Sequence, residues 1–239
     1  MRIFVQILSF FIILILFCTN SLASGFDYGK EDVTGNNLGI YYERANSDRP
    51  DYGRTGHGAY FFAGGAYTYR LLTDTTQTVT NPTQSINYTA KGNVPRGFYG
   101  FHAGVGAQLS RHVDLQLSYL QNFSHTTKPT LGGLPSTVKT SMNALEANFG
   151  YVFNPEDQIQ MMATLGVMAS EMHQTFTIGG AAYYPTTDQT KIDPTIGGEL
   201  AYYFTKTVAV RAAGEYVAST SRTASNGELN GFIGLSVAI

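Results

Sequence analysis

The chain has 239 residues, with 15 Lys and Arg against 17 Asp and Glu, a formal net charge of −2 and only 13% charged residues. That balance excludes the basic surface a nucleic-acid binder needs, and the single cysteine, Cys18, excludes a disulfide framework or a thiolate metal cluster. With 26 Gly, 16 Tyr and 15 Phe, the composition favours strands over helices.

The N-terminus reads as a targeting segment. Arg2 precedes an apolar run from Ile7 to Phe17, and Ser21-Leu22-Ala23 offers a small-x-small cleavage site, so residues 1–23 are read as a signal peptide for export. The run is shorter than the ~20 residues a spanning helix needs. Residues 24–56 carry Gly, Asp, Asn, Arg and Pro with one short apolar patch, Leu38 to Tyr42, and are expected to form a periplasmic N-terminal segment.

From His57 the pattern changes to period two, which places alternate side chains on opposite faces of a strand. The first strand, Ala59 to Leu71, sets Phe61, Ala63, Tyr67, Tyr69 and Leu71 against Gly58, Gly64, Thr68 and Arg70, with Tyr60 and Phe62 out of step. A polar, Thr-rich segment, Thr73 to Arg96, is read as a loop. The clearest stretch follows, from Gly97 to Phe123: Tyr99, Phe101, Ala103, Val105, Ala107 and Leu109 alternate with Gly and polar residues, and after Ser110-Arg111-His112 the series returns as Val113, Leu115, Leu117, Tyr119 and Phe123. This is a hairpin with one apolar face and one face of Gly, Gln, Asn and Ser, the pattern of a small barrel with lipid outside.

Ser124 to Thr137 reads as a second loop. A fourth strand then carries Leu145, Ala147, Phe149, Tyr151 and Phe153, a tight turn follows at Asn154-Pro155-Glu156-Asp157, and the fifth strand runs from Gln158 to about Ser170. A loop to Lys191 precedes the sixth strand, with Ile196, Leu200, Tyr202 and Phe204. The turn Thr205-Lys206 leads to the seventh, with Val208, Val210, Ala212 and Tyr216, and the eighth runs from Leu229 to Ile239. Long and short connections alternate, as in outer-membrane barrels with tight periplasmic turns and long external loops. The predicted fold is therefore all-β, an eight-stranded antiparallel up-and-down transmembrane β-barrel over residues 57–239. Tyr67, Tyr69, Tyr99, Tyr119 and Tyr216 form a candidate outer aromatic girdle, and Phe149, Tyr151, Phe153, Tyr202 and Phe204 an inner one.

In this pattern the chain resembles the small eight-stranded outer-membrane barrels: the OmpA transmembrane domain, OmpX and the opacity-type surface proteins. The terminal strand resembles the family's insertion signal in its alternating apolar residues, although it ends in Ile239 where an aromatic is usual. The resemblance implies a monomer in the outer membrane among lipid and lipopolysaccharide, acting without enzymatic chemistry in a structural or adhesive role, its loops available to host or surface ligands.

The inward positions carry Arg70, His102, Asp114, Glu146, Glu199, Arg211 and Glu215. A stranded buried charge is far costlier than a paired one, so these residues are read as a lumenal ionic core, with Glu199 and Arg211 as cross-strand neighbours in one register. Eight strands leave room for side chains and little else, and a narrow small-solute channel is the alternative. A second alternative is a lipopolysaccharide-modifying enzyme. Such chemistry needs a nucleophile beside a base; the deacylase pattern is His-x-Ser followed by Glu, and neither His173-Gln174-Thr175 nor His125-Thr126-Thr127 supplies the serine. No catalytic residue, metal or cofactor is therefore expected. Lys91, Arg96, Lys128, Lys139, Lys191 and Arg222 lie toward the outer side and are candidates for contact with lipopolysaccharide phosphates.

Overall fold

The computed structural model describes residues 58–185, 190–220 and 225–239. The expected signal peptide, the segment 24–56, His57 and Arg222 lie outside them. Twelve strands are present among the described residues: β1 (Gly58–Leu72), β2 (Thr76–Thr80), β3 (Ser85–Thr89), β4 (Gly97–Gln108), β5 (Val113–Thr127), β6 (Thr130–Leu131), β7 (Leu134–Val152), β8 (Ile159–Ile178), β9 (Ala181–Pro185), β10 (Thr190–Tyr203), β11 (Val208–Ala218) and β12 (Ser225–Ala238). Eight of them, β1, β4, β5, β7, β8, β10, β11 and β12, pair antiparallel in that order, and β12 returns to β1 to close the barrel.

One parity of each barrel strand points out and is apolar. On β8 this row is Ile159, Met161, Ala163, Leu165, Val167 and Ala169, and on β7 it is Leu145, Ala147, Phe149 and Tyr151. Their length matches the ~9–11 residues a tilted strand needs to cross hydrocarbon. On β7 and β8 the apolar wall stops at one row: Asn143 and Glu171 are direct neighbours, flanked by Gln121 of β5 and Thr190 of β10. Aromatic pairs mark both rims, Tyr67 with Tyr99 and Phe101 with Tyr119 on the outer side, Tyr151 with Phe153 and Tyr202 with Phe204 on the inner.

Tyr60 and Phe62, out of step in the sequence, are regular in the structure: both are buried and face the lumen. Tyr60 lies opposite Gly106 and Phe62 opposite Gly104. A Cβ at Gly106 would fall 2.1 Å from the Tyr60 ring, and one at Gly104 would fall 2.6 Å from the Phe62 ring. The glycines of β4 are thus the space into which the aromatics of β1 fold.

The expected loops are the larger difference. Thr73 to Arg96 contains the β2–β3 hairpin, whose turn is held by Asn81: its Oδ1 accepts from the Thr83 amide at 3.0 Å and the Gln84 amide at 2.8 Å. β5 and β7 continue through most of 124–137, with β6 between them, and β8 and β9 occupy most of the stretch up to Lys191. β9 pairs with both β8 and β2, so these segments extend one wall of the barrel outward as a cap. Inside it Val79, Val138, Phe176 and Tyr183, all at 0% exposure, pack with Tyr88, Leu131 and Ile178. Burying such a side chain contributes about 1.5–3 kcal/mol, so alternate apolar residues in a Thr-rich segment suffice to fold it. Burial pushes the Tyr88 phenol up to about 12, so it stays neutral within this core.

Candidate functional site

The even-numbered residues of β1 measure height in the lumen. At the periplasmic end, Arg211 is 2% exposed, and its Nη1 lies 2.9 Å from Glu199 Oε1. Arg211 is opposite Ala201, so the pair is diagonal across β10 and β11. Its Nε donates to Ser236 Oγ at 3.0 Å, and its guanidinium stands 4.0 Å above the Tyr60 ring. Tyr60 donates to Asp114 Oδ2 at 3.0 Å, and Gln116 Nε2 donates to both the Tyr60 hydroxyl and Glu199 Oε2, at 2.8 and 3.2 Å.

Above this layer, Phe62 and Phe232 hold the His102 ring edge-on. His102 Nε2 is 3.5 Å from Glu146 Oε2. Ser118 Oγ and Asn148 Nδ2 donate to Glu146, and Asn148 reaches Glu215 at 3.4 Å. These groups line a cavity of about 40 Å³, room for a few water molecules. Its upper boundary includes Ala66 and Leu120. These belong to an apolar layer with Met142, Ala144, Met168 and Val217, drawn from five strands.

Polar groups return higher up. Thr68 bridges Asn122 and Asn230 through hydrogen bonds of 2.9 Å, and Arg70 Nε donates to Glu228 Oε1 at 3.2 Å. The Glu228 partner is not among the residues singled out from the sequence. It sits on β12, where Glu228 is opposite Arg70 in register, and the aperiodic start of that strand conceals its parity. Polar and apolar layers therefore alternate along the lumen, and the outer end lies beneath the cap core.

The outer-side cations are dispersed. Lys91 is paired with Asp74 at 3.0 Å, Lys128 and Lys139 are exposed, and Arg96 is half-buried. Lys191 departs from expectation: it falls on the lumenal parity of β10 with Asp193 and cannot face the surrounding lipid. The histidines are engaged separately. His112 Nδ1 lies 2.8 Å from the Val152 carbonyl, and His125 stands edge-on to Phe98. His173 lies opposite Ser141, with its Nε2 3.8 Å from Glu171 Oε1. A serine, a histidine and a carboxylate thus share one face, which sequence proximity does not show because the serine comes from the adjacent strand. The His–Glu distance exceeds hydrogen-bond reach, so the base is not oriented as nucleophile activation requires.

A closed barrel with a lipid-facing wall, paired aromatic rims and a side-chain-filled lumen is an eight-stranded transmembrane β-barrel of the outer-membrane type, and this protein is one. No family model and no curated protein sequence matches the chain. Among solved structures it is similar to OprG of Pseudomonas aeruginosa, with a TM-score of 0.51 and 10% identity over 79% of this chain and 99% of that one. It is also similar to Neisserial surface protein A (TM-score 0.48, 14% identity, 75% of this chain and 96% of that one). A third is Ail, the attachment invasion locus protein of Yersinia pestis, in complex with the heparin analogue sucrose octasulfate (TM-score 0.48, 10% identity, 77% and 100%). The likeness is one of fold.

Proposed function

We propose that the protein is a non-enzymatic surface barrel, anchored in the outer membrane and serving a structural or adhesive role through its extracellular cap. The carrying observation is the arrangement of its interior. Leu120, Met142, Ala144, Met168 and Val217 pack as an apolar cluster inside the lumen within the membrane span, and a second apolar core fills the cap above it. In this reading Arg70, His102, Asp114, Glu146, Glu199, Arg211 and Glu215 act as a structural core, and residues 24–56 as a periplasmic extension. What meets the exterior is a folded platform.

Planar-bilayer recording of the purified protein is the test. We expect no unitary steps, because an ion crossing the Leu120–Met168 layer would be stripped of water without replacement ligands. Frequent, uniform steps would restore the channel reading. Ester hydrolysis is the second reading, because Ser141 lies opposite His173 in register with Glu171 3.8 Å from the imidazole. Incubation with lipopolysaccharide decides it: we expect no fatty-acid release, and release abolished by Ser141→Ala would make the protein an enzyme.

A further inference from the structure

The face of β7 and β8 that meets hydrocarbon continues beyond the row of Asn143 and Glu171. On the same parity stand Ser141, Lys139 and Thr137 of β7 and His173, Thr175 and Thr177 of β8, with Lys139 opposite Thr175 and Thr137 opposite Thr177. The sheet carries on sideways through β9 and β2, where Tyr184 is opposite Thr80. From Glu171 to Ile178, β8 extends roughly 23 Å along its own axis at ~3.3 Å per residue, which at a tilt of ~35–45° is roughly 16–19 Å along the membrane normal and reaches beyond the level of lipid phosphates. Beyond Asn143 and Glu171, the described parts of β7, β8, β9 and β2 carry no carboxylate. Their opposite face is fixed by Val138, Phe176 and Ile178 in the cap core, so the threonines stand on a rigid support with stiff χ1 angles.

We propose that this hydroxyl face is clothed by the oligosaccharide of the lipopolysaccharide surrounding the barrel in the outer leaflet. Continuity identifies the occupant: whatever molecule lays its acyl chains on Leu145, Val167 and Ala169 holds its head group against the residues directly above. Threonine hydroxyls both donate and accept, as sugar hydroxyls do, and the stiff sheet gives up little conformational freedom on contact. A purely phosphate-directed contact would need a cluster of free cations, whereas Lys91 is already paired with Asp74 and Lys139 is the one lysine or arginine on this part of β7 and β8.

The test compares full-length protein in vesicles of lipopolysaccharide with a complete core and in vesicles of core-truncated lipopolysaccharide that keeps its phosphates and acyl chains. The readout is the thermal midpoint of the heat-modifiable gel shift. The complete core is expected to raise the midpoint by roughly 5 °C, the scale of a few net hydrogen bonds in a barrel of this size. The triple variant Thr137→Val, Thr175→Val, Thr177→Val keeps side-chain shape and β-branching, and it should lose most of that rise while matching wild type in truncated vesicles. An equal midpoint for wild type in both vesicles, or a full rise in the variant, would overturn the proposal. So would an equal rise from soluble core oligosaccharide added to protein in phospholipid vesicles, which would make the face a site for free glycans.

Discussion

Phe176→Ala is expected to destabilise the extracellular cap by about 3–5 kcal/mol, the range for removing a buried aromatic ring, and to open it while the membrane-spanning barrel stays folded. Phe176 has 0% exposure, lies opposite Tyr183 of β9 and has its ring 5.2 Å from that of Tyr88 on β3. It therefore ties both flanking hairpins to β8. The cap core is small, and strands β2, β3 and β9 are only five residues long, so few other contacts remain to hold them. Limited proteolysis of protein in vesicles reports the opening at the exposed β2–β3 turn, Asn81 to Gln84. Heat-modifiable mobility reports the barrel. We expect rapid cleavage at the turn with the mobility shift retained; equal protease resistance in variant and wild type would mean that the ring does not hold the cap.

The same two regions show what was legible in the sequence. The Gly97–Phe123 hairpin is plain because one alternating row, Tyr99 to Leu109 and Val113 to Tyr119, faces lipid, and lipid selects every outward position alike, whatever its neighbour. The interior obeys no such uniform rule. Tyr60 and Phe62 look misplaced until Gly106 and Gly104 are seen opposite them, and those glycines lie in another strand. The cap looks like loops in the sequence for a related reason. Val79 and Tyr88 are isolated apolar residues in a threonine-rich segment, and their partners Phe176 and Tyr183 lie far along the chain. A short strand that buries one side chain in two leaves little periodicity to read.

The lumenal charges were legible as a set because parity alone turns Arg70, His102, Asp114, Glu146, Glu199, Arg211 and Glu215 inward. Their partners were not, with the exception of Arg211 and Glu199, because register between distant strands decides them. Arg70 meets Glu228 across 158 positions, and His102 meets Glu146 from a strand that is not its neighbour. The apolar layer of Leu120, Met142 and Met168 was hidden too. Each is an apolar residue on the polar parity, which in one strand reads as noise and across five strands forms a packed cluster.

Arg211→Ala is expected to cost about 3–5 kcal/mol of barrel stability, the usual penalty for removing one partner of a buried ion pair. Glu199, whose side chain is 9% exposed, would lose the guanidinium 2.9 Å away and keep, among the described residues, the Gln116 amide at 3.2 Å. The loss has a second part that does not involve Glu199: the guanidinium stands 4.0 Å over the Tyr60 ring as a cation–π contact and donates to Ser236. A double-mutant cycle separates the two. Glu199→Ala strands Arg211 in its turn, while the combined variant leaves neither charge alone, so the double change should cost less than the sum of the singles by about 1–3 kcal/mol. Urea unfolding of the four proteins in lipid vesicles, followed by circular dichroism and gel mobility, measures each term. A Ser236→Ala variant isolates the hydrogen bond and is expected to cost about 1 kcal/mol. Strict additivity of Arg211→Ala and Glu199→Ala would mean that Arg211 is held by Tyr60 and Ser236, with Glu199 solvated independently in the cavity above it.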